Sequence, residues 1–245
     1  MPIEDLFRLI KSFSGNLVAL TGAGISADSG IPTFRGKDGL WNKYRPEELA
    51  TPQAFARNPE LVWEWYAWRM KLIFDAEPNP AHKALALMEK AGLLKAVITQ
   101  NVDNLHERAG SRNVIHLHGR IDEMRCTECG EIVRNEKPPE AIPPRCRCGG
   151  MMRPNVVWFG EALPERELGR AVQLCSSNNV IVIGTSAVVY PAASLPVYAK
   201  NNGYAVIEVN PDATPLTEMA DLSLRERAGR AFEKIYAILK EEVSR

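Results

Sequence analysis

The chain has no surplus of charge, since 30 basic residues meet 30 acidic ones. That balance excludes a surface-wide electrostatic footprint for nucleic acid or an anionic membrane, and such a partner would need a local patch. Long apolar runs are missing too. The stretch VIVIGTSAVV is too short to cross a bilayer, so no membrane partner is expected. Cysteine is scarce and odd in number, five in 245 residues, four of them in one short polar segment. That pattern favours a metal over a disulfide framework. Internal repeats and low-complexity tracts are absent. The opening MPIEDLFRLI carries acids and an amphipathic pattern, unlike a secretory leader, and the expected location is the cytoplasm.

What is there is an apolar content of 45% over 245 residues, enough for one large domain, or one plus a small insert. The pattern predicts a helix over residues 4–13 and a buried strand over 16–20, which leads into Gly22, Gly24 and Ala27. A strand entering G-x-G-x-x-A is the dinucleotide-binding turn, in which bare amides at a helix start face phosphate. The usual next sign, an acid closing a second strand about twenty residues on, is missing. Residues 30–39 instead form a Gly/Pro-punctuated loop carrying Arg35, and long loops of this kind commonly act as lids. A nucleotide site is expected, while a hydride-transfer dehydrogenase is disfavoured.

Thr51-Pro52, Asn58-Pro59 and Asn79-Pro80 read as cap-plus-proline helix starts. The helix over 61–74 is dense in Trp63, Trp65, Tyr66 and Trp68, more a core face than a binding surface. Strands are expected over 95–99, 114–117, 180–186 and 205–210, with an extended stretch over 155–161. Helices are expected over 102–108, 164–175, 191–202 and 228–243. Strands alternating with helices imply an α/β fold with a doubly wound parallel sheet. Strand ends at 22–24, 184–186 and 210–212 would gather on one edge of it. Between residues 98 and 119, two more strand ends present Gln100, Asn101, Asp103 and His118, where ligands of open α/β sheets bind. Taken alone, that stretch reads equally well as polar loop residues and a satisfied core histidine.

Cys126-x2-Cys129 and Cys146-x-Cys148 lie sixteen residues apart and are followed by Gly130 and by Gly149-Gly150. Glycines permit the knuckle in which amides point at thiolate sulfur. Four thiolates make a closed tetrahedral zinc site, structural because no position remains for water or substrate. The single residue between Cys146 and Cys148 departs from the usual two and strains the bite. A nucleic-acid-binding ribbon is disfavoured, since Arg125, Arg145, Arg147 and Arg153 are offset by Glu123, Glu128 and Glu131.

In this order the pieces resemble the sirtuins, the NAD-dependent protein deacylases, over nearly the whole chain. The resemblance rests on TGAGIS (21–26), GIPTFRG (30–36), TQNVDNLH (99–106), HLHG (116–119), the four cysteines, GTS (184–186) and NPD (210–212). It implies a discontinuous Rossmann-like domain (1–33, 90–121 and 155–245) with a smaller zinc-ribbon-plus-helical domain inserted. The helical insertion and cofactor loop would be 34–89 and the zinc module 122–154, with one structural Zn2+ per chain. NAD would lie between the domains as a consumed co-substrate, and the products would be nicotinamide, free lysine and O-acyl-ADP-ribose. His118 matches the family's general base, which takes a proton from a ribose hydroxyl; a neutral imidazole can do so near neutrality. Asn101 would face the cationic sugar as nicotinamide departs. Gly22, Ala23, Thr33, Phe34 and Arg35 match the cofactor loop, with Thr33 where many members have an acid. Gln100, Asn101 and Asp103 match the groups around the nicotinamide ribose and carboxamide, Gly184, Thr185 and Ser186 the phosphate and ribose contacts, and Asn210, Asp212 and Ala228 the adenosine end.

The run Val156, Phe159, Gly160 and Glu161 matches the strand that pairs with acylated-lysine peptides in the interdomain cleft, and main-chain pairing implies loose sequence preference. Tyr66 and Arg69, at i and i+3 on one helix, share a face. Without the resemblance they read as a core tyrosine and a solvated arginine. With it, and with Ala50 upstream, they resemble the subgroup that removes succinyl or malonyl groups, in which they hold the acyl carboxylate. The expected activity is therefore deacylation of both acetyl- and succinyl-type lysines by a monomer that binds neither nucleic acid nor membrane. A plain deacetylase, a mono-ADP-ribosyltransferase of the same fold and a non-catalytic zinc-ribbon module are the competing readings. Cys175 reads as a buried helix residue, and His82 and His116 as structural.

Overall fold

In the computed structural model, residues 3–36 and 39–243 are described. Lys37 and Asp38 of the expected loop lie outside the described residues, as do the two residues at each end. The chain begins with helix α1 (Ile3–Ser12) and strand β1 (Leu17–Thr21). A long excursion of short helices follows: α2 (Pro46–Leu49), α3 (Pro52–Arg57), α4 (Pro59–Asp75) and α5 (Pro80–Lys90). Three of these start where a side-chain oxygen and a proline coincide. Thr51 Oγ1 accepts from Ala54 N at 3.0 Å, Asn58 Oδ1 from Leu61 N at 3.1 Å, and Asn79 Oδ1 from Ala81 N at 2.9 Å. Each cap fills an orphan amide of the first turn, and proline at N1 has no amide to lose.

Next come β2 (Ala96–Thr99), α6 (Leu105–Ala109), β3 (Val114–His116), β4 (Gly119–Cys126), β5 (Ile132–Arg134) and β6 (Met152–Val156). The chain closes with α7 (Glu165–Cys175), β7 (Asn179–Ile183), α8 (Leu195–Asn201), β8 (Val206–Val209), β9 (Leu222–Leu224) and α9 (Ala228–Val243). The expected doubly wound sheet is present: six strands in the order β3-β2-β1-β7-β8-β9, every pair parallel. The chain fills one side of β1 first and then crosses to β7, so the winding reverses between these two strands. Ligands of such sheets bind at that switch point, beyond the carboxyl ends. The register aligns His116, Thr99, Thr21, Ile183 and Val209 in one row. Residues just past that row must therefore meet along one edge.

Apolar side chains bury both faces of the parallel sheet. Leu17, Ala19, Ile181 and Ile207 pack under α1, α5 and α9, and Val18, Leu20, Val180 and Val182 under α7 and α8. A separate core joins α3, α4, β4 and β6 around Trp63, Tyr66, Met70 and Met152. Within the 34–89 range, Ala81, Ala84, Leu85 and Met88 of α5 pack in the core of the large sheet. Ile31, before that range, packs in the core of α3, α4, β4 and β6. Strands β4, β5 and β6 form a separate three-stranded antiparallel sheet in the order β5-β4-β6. The extended stretch expected over 155–161 ends as a strand at Val156. Helix 191–202 begins as a 3-10 turn (Ala192–Ser194) before α8. No described helix is long and apolar enough to cross a membrane.

Candidate active site and metal centre

The carboxyl ends of β1, β7 and β8 open into a cleft of about 1100 Å³, closed on its far side by α4, the 30–36 loop and residues 156–161. Two glycine turns form its floor. Gly22 N donates to Ile183 O at 3.0 Å and Gly24 N to Gly184 O at 2.8 Å. A Cβ on Gly22 would meet Thr185 Cα at 2.8 Å, and one on Gly24 would meet Gly184 Cα at 2.7 Å. The motif thus serves a close backbone approach. It does not serve as a helix start full of bare amides: residues 23–25 are a 3-10 turn, and the amides of Gly22, Gly24 and Ile25 are already committed to carbonyls.

Two side chains past β2 are held by hydrogen bonds to the protein, and the orientation of the first is forced by its partner. Asn101 Nδ2 donates to Gly22 O and to Ser26 Oγ, both at 3.1 Å. A carbonyl can only accept, so the amide nitrogen must face the protein. With both protons used, the free acceptor of Asn101 is Oδ1, in a residue that lines the cleft. Gln100 Nε2 reaches across the floor to Thr185 Oγ1 at 2.9 Å.

His118, just past β3, has its Nδ1 at 2.8 Å from Gln100 O. Nδ1 must carry the hydrogen, which leaves Nε2 of the neutral ring as a bare base in a residue lining the cleft. Burial pulls the His118 pKa below the usual 6.5, opposed by the bond to Gln100. Near neutrality the ring is therefore uncharged and able to take a proton.

Asp103 does not line the cleft. It is 4% exposed and lies beneath Asn101, where its Oδ2 accepts from Ser26 Oγ at 3.0 Å and its Oδ1 from Leu105 N at 3.1 Å. Burial raises its pKa, against those two hydrogen bonds. The other histidines lie below the floor, where only His106 Nδ1 among their ring nitrogens has no hydrogen-bond partner. His82 Nδ1 accepts from Asn79 N at 3.3 Å, so its Nε2 carries the hydrogen toward Ser26 Oγ at 3.4 Å. His116 spans Asn101 O and Glu107 Oε1, at 3.1 and 2.8 Å. His106 Nε2 lies 3.0 Å from Thr21 Oγ1, which donates to Thr99 Oγ1 at 2.9 Å. Burial pushes the His106 pKa down to about 3.

At the other end of the cleft, Asn210 Nδ2 donates to Thr185 O at 2.7 Å and Asn210 Oδ1 accepts from Asp212 N at 3.2 Å. Ala228 and Ser186 line the same wall. Thr33 Oγ1 caps its own loop by donating to Arg35 O at 2.9 Å, and Phe34 lies tilted against Trp41 with ring centroids 5.1 Å apart. Past β6 the main chain is partly spent: Val157 N donates to His118 O, and Phe159 N to Ala50 O, each at 2.9 Å. Gly160 has φ +87°. Arg153 binds Glu161 at 2.6 and 2.9 Å and lies 3.5 Å over Trp158, bracing this turn.

Tyr66 and Arg69 are both buried, at 3% and 5% exposure, and both line the cleft with Ala50. Tyr66 Oη accepts from Trp158 Nε1 at 3.0 Å, and burial pushes its pKa up to about 12. The Arg69 guanidinium rests on Phe34 at 4.5 Å and Trp65 at 5.0 Å. Among the described residues no carboxylate comes within 4.0 Å of it. Burial lowers its pKa.

Sequence reasoning missed Ser26, Thr21, Thr99, Arg153 and Glu208. Only Glu208 left a local signal, a carboxylate inside the apolar run AVIEVN.

The cysteine knuckles meet as expected. All four sulfurs lie within 4.8 Å of one another, with Cys126–Cys148 at 3.5 Å and Cys129–Cys146 at 3.7 Å. A tetrahedron with Zn–S bonds of about 2.3 Å has edges of about 3.8 Å, so this donor set fits zinc despite the short second spacing. Glu128 N and Gly150 N each point at a sulfur from 3.4 Å. The metal would tie β4 to the 146–150 turn, where antiparallel pairing is short. Stripping it with a strong chelator should lower the melting temperature and deprotect β4–β6 amides in hydrogen exchange, with recovery on adding zinc. Unchanged exchange there would show that the four thiols stand without a metal.

A cleft at the switch point of a doubly wound sheet, with a bare imidazole nitrogen in it, defines a nucleotide-binding α/β enzyme. A model of the Sir2 family matches residues 22–191. The NAD-dependent protein deacylase 1 of Archaeoglobus fulgidus is 58% identical over 244 residues, covering 98% of this chain and 99% of its own. A solved Sir2 homologue in complex with ADP-ribose superposes with a TM-score of 0.92 at 57% identity over 97% of each chain. A Sir2 homologue–NAD complex gives 0.89, also at 57% identity, over 97% of this chain and 94% of that one. The chain belongs to the Sir2 family.

Proposed function

We propose that the protein is an NAD-dependent protein-lysine deacylase acting on acetyl-lysine and on succinyl- and malonyl-lysine. The observation that carries this reading is the Nδ1 hydrogen bond from His118 to Gln100 O, 2.8 Å long, which leaves Nε2 as a base in the cleft. NAD enters as a co-substrate. The acyl oxygen of the modified lysine bonds to the ribose carbon while the bond to nicotinamide breaks, and nicotinamide leaves with the electron pair. Asn101 Oδ1 offers its lone pairs to the cationic sugar without neutralising it. His118 Nε2 takes the proton of a ribose hydroxyl, whose oxygen attacks the acyl carbon. Water completes the release of lysine and O-acyl-ADP-ribose. Gly22, Ala23, Thr33, Phe34 and Arg35 would hold the cofactor on the loop side, Gln100 and Asn101 the nicotinamide ribose, with Asp103 acting from beneath through Ser26. Gly184–Ser186 and Asn210, Asp212 and Ala228 would hold the phosphates and adenosine. Peptide would add as a strand beside Val156, Phe159, Gly160 and Glu161.

Arg69 supports the wider acyl range. A buried cation is costly unless paired, and no carboxylate of the described chain pairs with it. A succinyl carboxylate entering past Ala50 would supply the missing partner in a charge-assisted fork. Arg69→Met keeps the stem that packs on Phe34 and Trp65 and removes the charge. The ratio of succinyl to acetyl turnover should then fall about ten- to a hundredfold, the equivalent of about 1.5–3 kcal/mol. Mass-resolved assays on the two peptides measure it, and an unchanged ratio ends the assignment. The same spectra separate deacylation from ADP-ribosyl transfer, which would add mass to a protein.

A further inference from the structure

A carboxylate within an apolar strand must have its oxygens filled. Glu208 stands in β8 among Val206, Ile207 and Val209 and is 1% exposed. Its Oε1 accepts from Thr214 Oγ1. Its Oε2 accepts from Thr217 Oγ1 at 2.8 Å, Ser223 Oγ at 3.0 Å and Arg225 Nη1 at 2.8 Å. Burial would raise the pKa of this carboxyl, but the hydrogen bonds outweigh it and keep the group ionised. Arg225 extends the grip: Nη1 also donates to Asp212 O at 3.1 Å, and Nη2 to Thr217 Oγ1 at 2.7 Å. Thr217 Oγ1 further accepts from Thr214 N at 2.9 Å, so this hydroxyl has one donor and two acceptor positions, all used.

Thr214 and Thr217, and Asp212 through Arg225, belong to the 210–217 loop. Residues 210–215 line the cleft, while Glu208, Thr217 and Arg225 do not. The loop is also tied to the phosphate-side turn by the Asn210–Thr185 bond of 2.7 Å. We infer that Glu208 is a positioning residue for the dinucleotide: through Thr214, Thr217 and Arg225 it sets the 210–217 loop before NAD enters. This rests on the NAD reading given above. An unclamped loop would have to be ordered during binding, and that cost would be subtracted from affinity. The chemistry around His118 lies at the other end of the cleft and would not be affected.

The test compares Glu208→Gln, Thr217→Val and Ser223→Ala in the full chain. Three quantities are read: ADP-ribose affinity by calorimetry, KM for NAD and for an acetyl-lysine peptide, and melting temperature. Glu208→Gln and Thr217→Val should weaken ADP-ribose binding and raise KM for NAD about tenfold, with kcat and peptide KM little changed. Ser223 donates from β9 and not from the loop, so Ser223→Ala should lower the melting temperature and leave both NAD measures unmoved. If Glu208→Gln fails to fold, Thr217→Val carries the comparison. The inference is overturned if Thr217→Val binds ADP-ribose as the unaltered protein does, or if Ser223→Ala weakens binding equally. Should the unaltered protein bind ADP-ribose but consume no NAD, the deacylase reading fails and the calorimetric comparison still decides the clamp. Absence of ADP-ribose binding would overturn both.

Discussion

Alanine in place of His118 should reduce deacylation about 10²- to 10⁴-fold, the range for removing a positioned general base. The loss should fall on kcat, with KM for NAD close to that of the unaltered protein, because Nε2 engages a hydroxyl proton only in the transition state. The pH profile gives a second reading of the same group. His118 works when neutral, and its pKa lies below 6.5 because burial disfavours the imidazolium. The acid limb of kcat/KM, on which the ring gains its proton and loses its function as a base, should therefore be centred below 6.5. A limb centred above 6.5 would contradict the burial argument. An alanine variant retaining more than about a tenth of the rate would remove His118 from the chemistry altogether. His116 is no substitute: its two nitrogens are taken up by Asn101 O and Glu107 at 3.1 and 2.8 Å.

Local pattern carries the parallel sheet well. NLVAL and VIVI are continuous apolar runs because β1 and β7 are buried on both faces. The row of strand ends follows from where those runs stop, so the edge holding Gln100, Asn101 and His118 is legible. What escapes depends on partners distant in sequence. β4 reads as the polar string GRIDEMRC, yet pairing with β6 buries Ile121, Met124 and Cys126. β9 is three residues long and exists because β8 offers an edge. Helix α5 carries an apolar face that suits either domain, and α9, more than a hundred residues later, decides it. Asp103 resembles a ligand because it follows Asn101 so closely, but the turn capped by its own Oδ1 directs it downward to Ser26. The G-x-G-x-x-A motif suggests free amides. Its glycines are needed because a second backbone, at Gly184, lies against them.

That contact makes Gly184→Ala a severely damaging small substitution at the floor of the cleft. Gly184 has φ +62°, in the left-handed region where an L side chain costs roughly 1–2 kcal/mol. Strain alone is seen at Gly203, also at positive φ (+80°) but with nothing within 4 Å of where a Cβ would stand. Gly203→Ala should therefore cost about 1 kcal/mol, or about 2–4 °C in melting temperature. At Gly184 the same methyl group would stand 2.5 Å from Ile25 N and 2.6 Å from Gly24 C. Both are backbone atoms of the 22–25 turn, which is held to residues 183–184 by Gly24 N donating to Gly184 O at 2.8 Å and Gly22 N to Ile183 O at 3.0 Å. Neither side can yield without parting β1 from β7 at the floor of the cleft. Strain and overpacking together should exceed about 4 kcal/mol, a fall of roughly 10 °C or more. Scanning calorimetry of the two variants measures the difference. If Gly184→Ala melts within about 4 °C of Gly203→Ala, the two turns are not packed backbone on backbone, and the floor of the cleft must be built some other way.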